Sequence, residues 1–471
     1  MGLVAFVAAA AIAGAVQTAP PRSPQPLPDP AAEPVRVEVR VTTAARTVRL
    51  FVRDPDTVLL VADARLASGS AQAAIEPGGV LALTSNPEGS QAIATFRLVL
   101  ASDAATSVRF GVGIAPLAQP ARVEVFNLND ESRPAPATTV DAATSGTEIE
   151  TSMAALRTGG PLTTGPRRDR LVLAHFYPWW ERATWAAPDL LDQPLQLYST
   201  DEPADVLRVM RDMASAGIDV AIVSFQDGTT ARIWNRRRLQ IVLDAAQQAG
   251  LRVSVQIETL AANTADVEGR KPDAPVLVAW IADVVDAFSA HPAFLKVDSR
   301  PVIWAYAWDY AGQDTWRAVL AALRASNRNP MVMADSMTPS ELAVADGEST
   351  YAGTLFATDV HQTLRRSVAA QRTWHLLGSA YGGQRIAAAS VIPGYDETRL
   401  AGRSGRSVDR RGGEFYNEQW QAALASGADW VVVTSWNEWA ENTEIEAGQR
   451  FGPYYVWRTR FWSAAFKHAP R

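Results

Sequence analysis

Residues 171–180 read LVLAHFYPWW and residues 430–448 read WVVVTSWNEWAENTEIEAG, and the two stretches share one grammar. In each, a short apolar run of strand length leads directly into aromatic and acidic residues. Six further runs lie between them: VAIVSF (220–225), VSVQIE (253–258), VIWAYA (302–307), MVMADS (331–336), TLFATD (354–359) and AAASVI (387–392). Helical patterns separate the runs. One spans 203–216, opened by Pro203 and closed by Gly217, and another spans 236–249, closed by Gly250. Segments 276–290, 314–326 and 414–426 have comparable apolar spacing. Strands alternating with helices build a parallel sheet, and eight of them predict a closed (β/α)8 TIM barrel over residues 168–471. No glycine-rich phosphate fingerprint follows the first run, which counts against a dinucleotide-binding sheet.

Upstream the pattern changes. Between Val35 and Asn129 seven short runs alternate apolar with polar residues: VRVEVRV, TVRLFVR, TVLLVADA, VLALTS, AIATFRLVL, SVRFGVGI and ARVEVFNL. Broken by Gly, Pro, Asn, Asp and Ser, they predict an N-terminal all-β sandwich domain over 35–130. Such a module binds carbohydrate or anchors to a wall, or else serves as a spacer or packing domain, and the latter reading is preferred because the stretch contains no Trp or Tyr to stack on a sugar. Residues 20–34 are proline-dense and 131–167 are rich in Thr, Ala, Pro and Gly, so both are expected to be linkers. Residues 1–19 are read as a signal peptide, because Val4 to Val16 is apolar, too short to span a bilayer, and carries small residues at Ala13 and Ala15. A secreted or extracytoplasmic protein is the expectation, with no membrane contact after cleavage.

At 471 residues and 47% hydrophobic content the chain can furnish a core for each of two domains. Its net charge of -6 leaves no basic surplus to neutralise nucleic-acid phosphates. A neutral partner such as a glycan suits that balance. The absence of cysteine excludes disulfides, thiolate metal sites and a cysteine nucleophile. The five histidines show no metal-ligand spacing, so no metal and no cofactor is expected. The oligomeric state is not legible.

In a barrel of this kind chemistry sits at the C-terminal ends of the strands. The residues there are Tyr177-Pro178-Trp179-Trp180, Glu258, Tyr306 and Trp308, Asp335, Asp359 and His361, Pro393-Gly394-Tyr395-Asp396, and Trp436-Asn437-Glu438-Trp439-Ala440-Glu441. Aromatic rings cover the C–H faces of sugars while carboxylates bind hydroxyls and move protons, and glycosidic cleavage needs two such carboxyl groups. Glu438 and Glu441, three apart, share a face if the segment is a helical turn, and their proximity raises the pKa of one of them, as a general acid requires. Tyr177, Trp179, Trp180, Glu258, Tyr306, Tyr395 and Asn437 are the candidate substrate-binding residues. Asp335 and Asp359 are either substrate contacts or loop caps. Trp316, Trp420, Trp430 and Trp462 are assigned to packing, and the run Arg236-Arg237-Arg238 to a solvated helix start.

Four motifs resemble glycoside hydrolase family 99, the endo-α-mannosidase family: AHFYPWW (174–180), HPAFLKVDSRPVIWAY (291–306), IPGYDETR (392–399) and TSWNEWAENTEIEAG (434–448). The resemblance spans roughly 170–465 in order. It implies a retaining hydrolase without a protein nucleophile, in which the sugar's own 2-hydroxyl attacks C1. By the same resemblance Glu438 assists that hydroxyl, Glu441 is general acid and then base, and Asn437, Tyr177, Tyr306 and Glu258 hold the sugar. The chain departs from the family at Ala440, Asn442 and Glu444, where His, Gly and Gln are usual, so its substrate is expected to differ in hydroxyl recognition. The alternatives are a noncatalytic glycan-binding barrel and a family 99-like protein of polysaccharide biosynthesis or export.

Overall fold

The computed structural model describes residues 35–44, 47–52, 58–63, 72–76, 80–85, 92–100, 107–115, 121–128, 136–156, 168–226, 231–259, 274–377 and 383–469. The signal and first linker expected at 1–34 lie outside them. Ten antiparallel strands form two five-stranded sheets at the N-terminus. The alternation works as expected: Val35, Val37, Val39 and Val41 point inward to meet Val48, Leu50, Phe96, Phe110 and Val112 in one core. The expected linker at 131–167 is corrected in part. Strands Thr138–Ala143 and Glu148–Ser152 extend the two sheets, pairing with Ala121–Asn127 and Ser107–Ala115. The first, TTVDAA, is built of small and polar residues, and the second, EIETS, is short and sends only Ile149 and Thr151 inward, so neither carries the apolar run that marks a strand in sequence.

The second unit is a closed ring of eight parallel strands: Leu171–Phe176, Val220–Phe225, Arg252–Ile257, Arg300–Ala305, Met331–Ala334, Gly347–Glu348, Ile386–Val391 and Trp430–Val433, with the last pairing to the first. α-Helices follow seven of them, and a 3-10 turn, Pro339–Ala343, follows strand five. The helix Pro203–Ser215 begins on Pro203 and ends before Gly217, whose φ of 80° suits glycine.

Strand six is not the TLFATD run. It is the two-residue Gly347–Glu348, too short to announce itself by periodicity. Its glycine is required by crowding, since a Cβ there would lie 2.5 Å from Met333 Cε and 2.6 Å from the Ile386 carbonyl oxygen. TLFATD instead forms the 3-10 turn Gly353–Phe356 and the cap of the next helix, Val360–Thr373, where Asp359 accepts the Gln362 N–H at 3.0 Å. Asp359 is thus a cap. The arginine run is also corrected: Arg238 is fully buried, its guanidinium held by Asp201, Glu181 and the Pro178 carbonyl, whereas Arg237 remains exposed.

The two units meet. Val99 points away from the sandwich core and is buried against Leu342, Trp374, Leu376 and Leu377 of the barrel. Beside it Arg97 donates to the Leu377 carbonyl at 2.9 Å while paired with buried Glu38 at 2.8 Å.

Candidate active site

Strand eight delivers Glu438 and Glu441 to the C-terminal rim in a tight turn rather than a helix. The Glu438 N–H donates to Ser435 Oγ at 2.8 Å and its Oε1 accepts the Ala440 N–H at 3.1 Å, which holds the carboxylate over its own turn. Glu441 Oε2 accepts from Tyr351 Oη at 3.1 Å and Oε1 from Arg403 Nη2 at 3.2 Å. Its carbonyl accepts the Asp396 N–H at 2.8 Å, tying the strand-eight turn to the strand-seven loop.

Both carboxyl groups are buried, and burial pushes both up. Glu438 goes well above the ordinary range, because desolvation is followed by repulsion from Glu441. For Glu441 the same desolvation is opposed by the Arg403 guanidinium and the Tyr351 hydroxyl. The two carboxyl groups therefore titrate as a pair.

A third acid stands nearby. Glu258, at the end of strand three, accepts from Ser224 Oγ at 2.8 Å and Gln256 Nε2 at 2.6 Å. Burial lifts it to about 7 against those hydrogen bonds, with Asp335 and Glu441 adding repulsion. Tyr177, Tyr306 and Tyr351 pack together among these carboxylates, and Tyr177 lies against the partly exposed Trp179, ring centroids 4.5 Å apart and planes tilted by 41°. Tyr395 closes the strand-seven side, its hydroxyl donating to Glu397 at 2.7 Å. The preceding Gly394, at φ 151°, lets this motif lie against Arg410, whose Cγ would be 2.6 Å from a Cβ. Among the described residues no three His, Cys, Asp or Glu side chains are grouped so as to hold a metal ion.

Several expected contacts have other work. Asn437 is fully buried and clamps the main chain of Tyr177, its Oδ1 accepting the N–H at 2.7 Å and its Nδ2 donating to the carbonyl at 3.0 Å. Nδ2 also donates to Tyr198 Oη, which in turn donates to Glu446. Asn437 thus fixes the segment that follows strand one, with both of its amide atoms engaged. Trp180 is buried, stacked on Trp185 at 4.6 Å and donating to the Asn437 carbonyl. Asp335 caps loops, accepting the N–H groups of Tyr351 at 2.7 Å and Ala307 at 3.0 Å. Glu444 is buried and paired with Arg410 at 2.7 Å, so it is a framework acid.

Tyr351, Arg403 and Glu397 were not anticipated. A strand six read at 354–359 ends beyond Tyr351, which stands three residues after Glu348 at the true C-terminal end of the strand. Arg403 sits in an arginine-rich loop without periodicity, and no local pattern marks it.

Residues 191–451, more than half of the chain, match the family model described as glycosyl hydrolase family 99. The rat glycoprotein endo-alpha-1,2-mannosidase is 24% identical over an alignment of 267 residues that covers 53% of this chain and 54% of that protein. The chain thus spans about half the length of this curated relative. Among solved structures, the GH99 endo-alpha-mannosidase from Bacteroides thetaiotaomicron in complex with bis-tris-propane superposes with a TM-score of 0.52 at 26% identity, covering 63% of this chain and 97% of that one. A second structure of a GH99 endo-alpha-mannosidase from that organism gives 0.52 at 24% identity, covering 64% and 98%.

Proposed function

The chain belongs to glycosyl hydrolase family 99, and we propose that it is an exported hydrolase that cleaves an α-linked mannoside glycan or polysaccharide with retention, using Glu438 and Glu441. The observation that carries this reading is two buried, mutually repelling carboxyl groups set on one turn among tyrosines at the C-terminal rim of the barrel.

In the first step Glu438 takes the proton of the sugar's 2-hydroxyl as that oxygen bonds to C1. The glycosidic C1–O bond breaks, and Glu441 gives its proton to the departing oxygen. A 1,2-anhydro sugar and the leaving sugar result. In the second step Glu441 deprotonates water, the water oxygen bonds to C1, the C1–O2 bond opens, and Glu438 returns its proton to O2. Two inversions at C1 give net retention. Glu258 and the tyrosines are suited to hold hydroxyls around this axis. One observation favours a second reading with the roles exchanged: Arg403 and Tyr351 stabilise the anion on Glu441, as a base requires.

The test compares release from α-mannan oligosaccharides and from a glycosyl fluoride, whose leaving group needs no acid. Glu438→Gln is expected to abolish both, while Glu441→Gln abolishes oligosaccharide cleavage and retains part of the fluoride reaction. The opposite pattern establishes the exchanged roles. Full activity in either variant sinks the assignment of that glutamate, and no turnover by the wild type with glycan still bound sinks the hydrolase assignment. Activity confined to the cytoplasmic fraction of the native host would exclude export, which is supported by the apolar run Val4 to Val16 and the proline-dense stretch behind it.

A further inference from the structure

The loop after strand seven carries Arg399, Arg403, Arg406, Arg410 and Arg411. Four have evident employment. Arg399 donates to the Leu190 carbonyl, Arg403 pairs with Glu441 and Glu397, Arg410 with Glu444, and Arg411 with Glu418. Arg406 differs. Its exposed guanidinium has no ion pair or side-chain hydrogen bond among the described residues, and it lies over the ring of Phe356, 5.7 Å from the centroid.

Phe356 is itself unusual, being a phenyl ring 57% exposed at the end of a turn whose preceding residues, Thr354 and Leu355, are buried. Leu355 packs with Ile392 and Tyr395, so the ring is held out from a fixed anchor. Single exposed apolar residues are ordinary on protein surfaces. This one is continuous with the site on both of its sides. Five residues upstream on the same segment, Tyr351 donates to Glu441. Across the gap, the Arg406 N–H donates to Glu397 at 3.3 Å, the Glu397 N–H donates back to the Arg406 carbonyl at 3.0 Å, and Arg403 lies between Glu397 and Glu441.

A general acid must stand beside the leaving oxygen, so what is built around Glu441 faces the departing sugar. We propose that Phe356 and Arg406 form a sugar-binding subsite on the leaving-group side of the cleft, the ring covering the C–H face of a sugar and the guanidinium donating to its hydroxyl or ring oxygens. The subsite deepens the hydrolase reading and rests on Glu441 as the acid. It makes the enzyme one that prefers an oligosaccharide leaving group to a small one.

Two probes separate the contributions: an α-manno-oligosaccharide extending at least two sugars beyond the cleaved bond, and the glycosyl fluoride of the same non-reducing portion. Phe356→Ala and Arg406→Ala are each expected to lower the ratio of kcat/KM for the oligosaccharide to that for the fluoride by about three- to tenfold, the usual weight of one stacking contact. Phe356→Trp should restore it. An unchanged ratio, or equal losses on both probes, overturns the subsite while leaving the hydrolase reading intact. If the wild type turns over neither probe, the hydrolase reading fails by itself, and calorimetry of the oligosaccharide on Glu441→Gln then decides. Weaker binding when Phe356→Ala is added supports the subsite, and undiminished or absent binding overturns it.

Discussion

Among the described residues Arg403 is the cation paired with the proposed catalytic acids, 3.2 Å from Glu441 and acting on Glu438 as well. A positive charge favours the ionised form of both carboxyl groups, so it holds both below where burial alone would place them. Removing it must raise both. The acid limb of kcat/KM follows the group that acts as base and the alkaline limb the group that acts as acid, so Arg403→Leu is expected to move the whole bell to higher pH. A pH–rate profile checks this, and a bell that stays in place or moves to lower pH would show that Arg403 does not set these ionisations. The two glutamates were readable from sequence because an apolar strand ran straight into them. Their shared environment was not, because Tyr351 and Arg403 come from loops that only the closed barrel brings to strand eight.

Strand six illustrates how an element is decided by its neighbours. Glu348 is fully buried on it, accepting from Ser367 Oγ at 3.1 Å while its own N–H donates to Gln371, and burial lifts its carboxyl to about 8. A carboxyl raised above its ordinary 4.5 favours the protonated form in the fold, so its contribution to stability is complete below about 4.5 and is lost as pH climbs through about 8. Glu348→Gln keeps the acceptor for Ser367 and does not titrate. Its melting temperature relative to the wild type is therefore expected to rise between pH 5 and pH 8, by scanning calorimetry. A constant difference across that window would mean that Glu348 is ionised in the fold. An apolar pattern finds strands by their burial, and a two-residue strand holding a glycine and a glutamate has no such pattern.

In the whole molecule the sandwich is joined to the barrel through Val99, an apolar residue on the outward face of its sheet, and through the Glu38–Arg97–Leu377 chain. A domain docked in this way should melt together with the barrel. Val99→Asp places a charge in that contact, and the expected outcome is one calorimetric transition resolving into two. A single transition with little shift would show that the contact does not couple the units. No helix among the described residues is long and apolar enough to cross a membrane. From sequence alone came the barrel, seven of its eight strands, the sandwich ahead of it and the acid pair, because each is written in local periodicity or in what directly follows a strand. Tertiary structure alone decided the place of strand six, the employment of Asn437, Trp180, Asp335, Glu444 and Arg238 as framework, and the company Glu441 keeps. These depend on which distant segments share a desolvated space, and a buried polar side chain takes its role from the partner that meets it there, not from its neighbours along the chain.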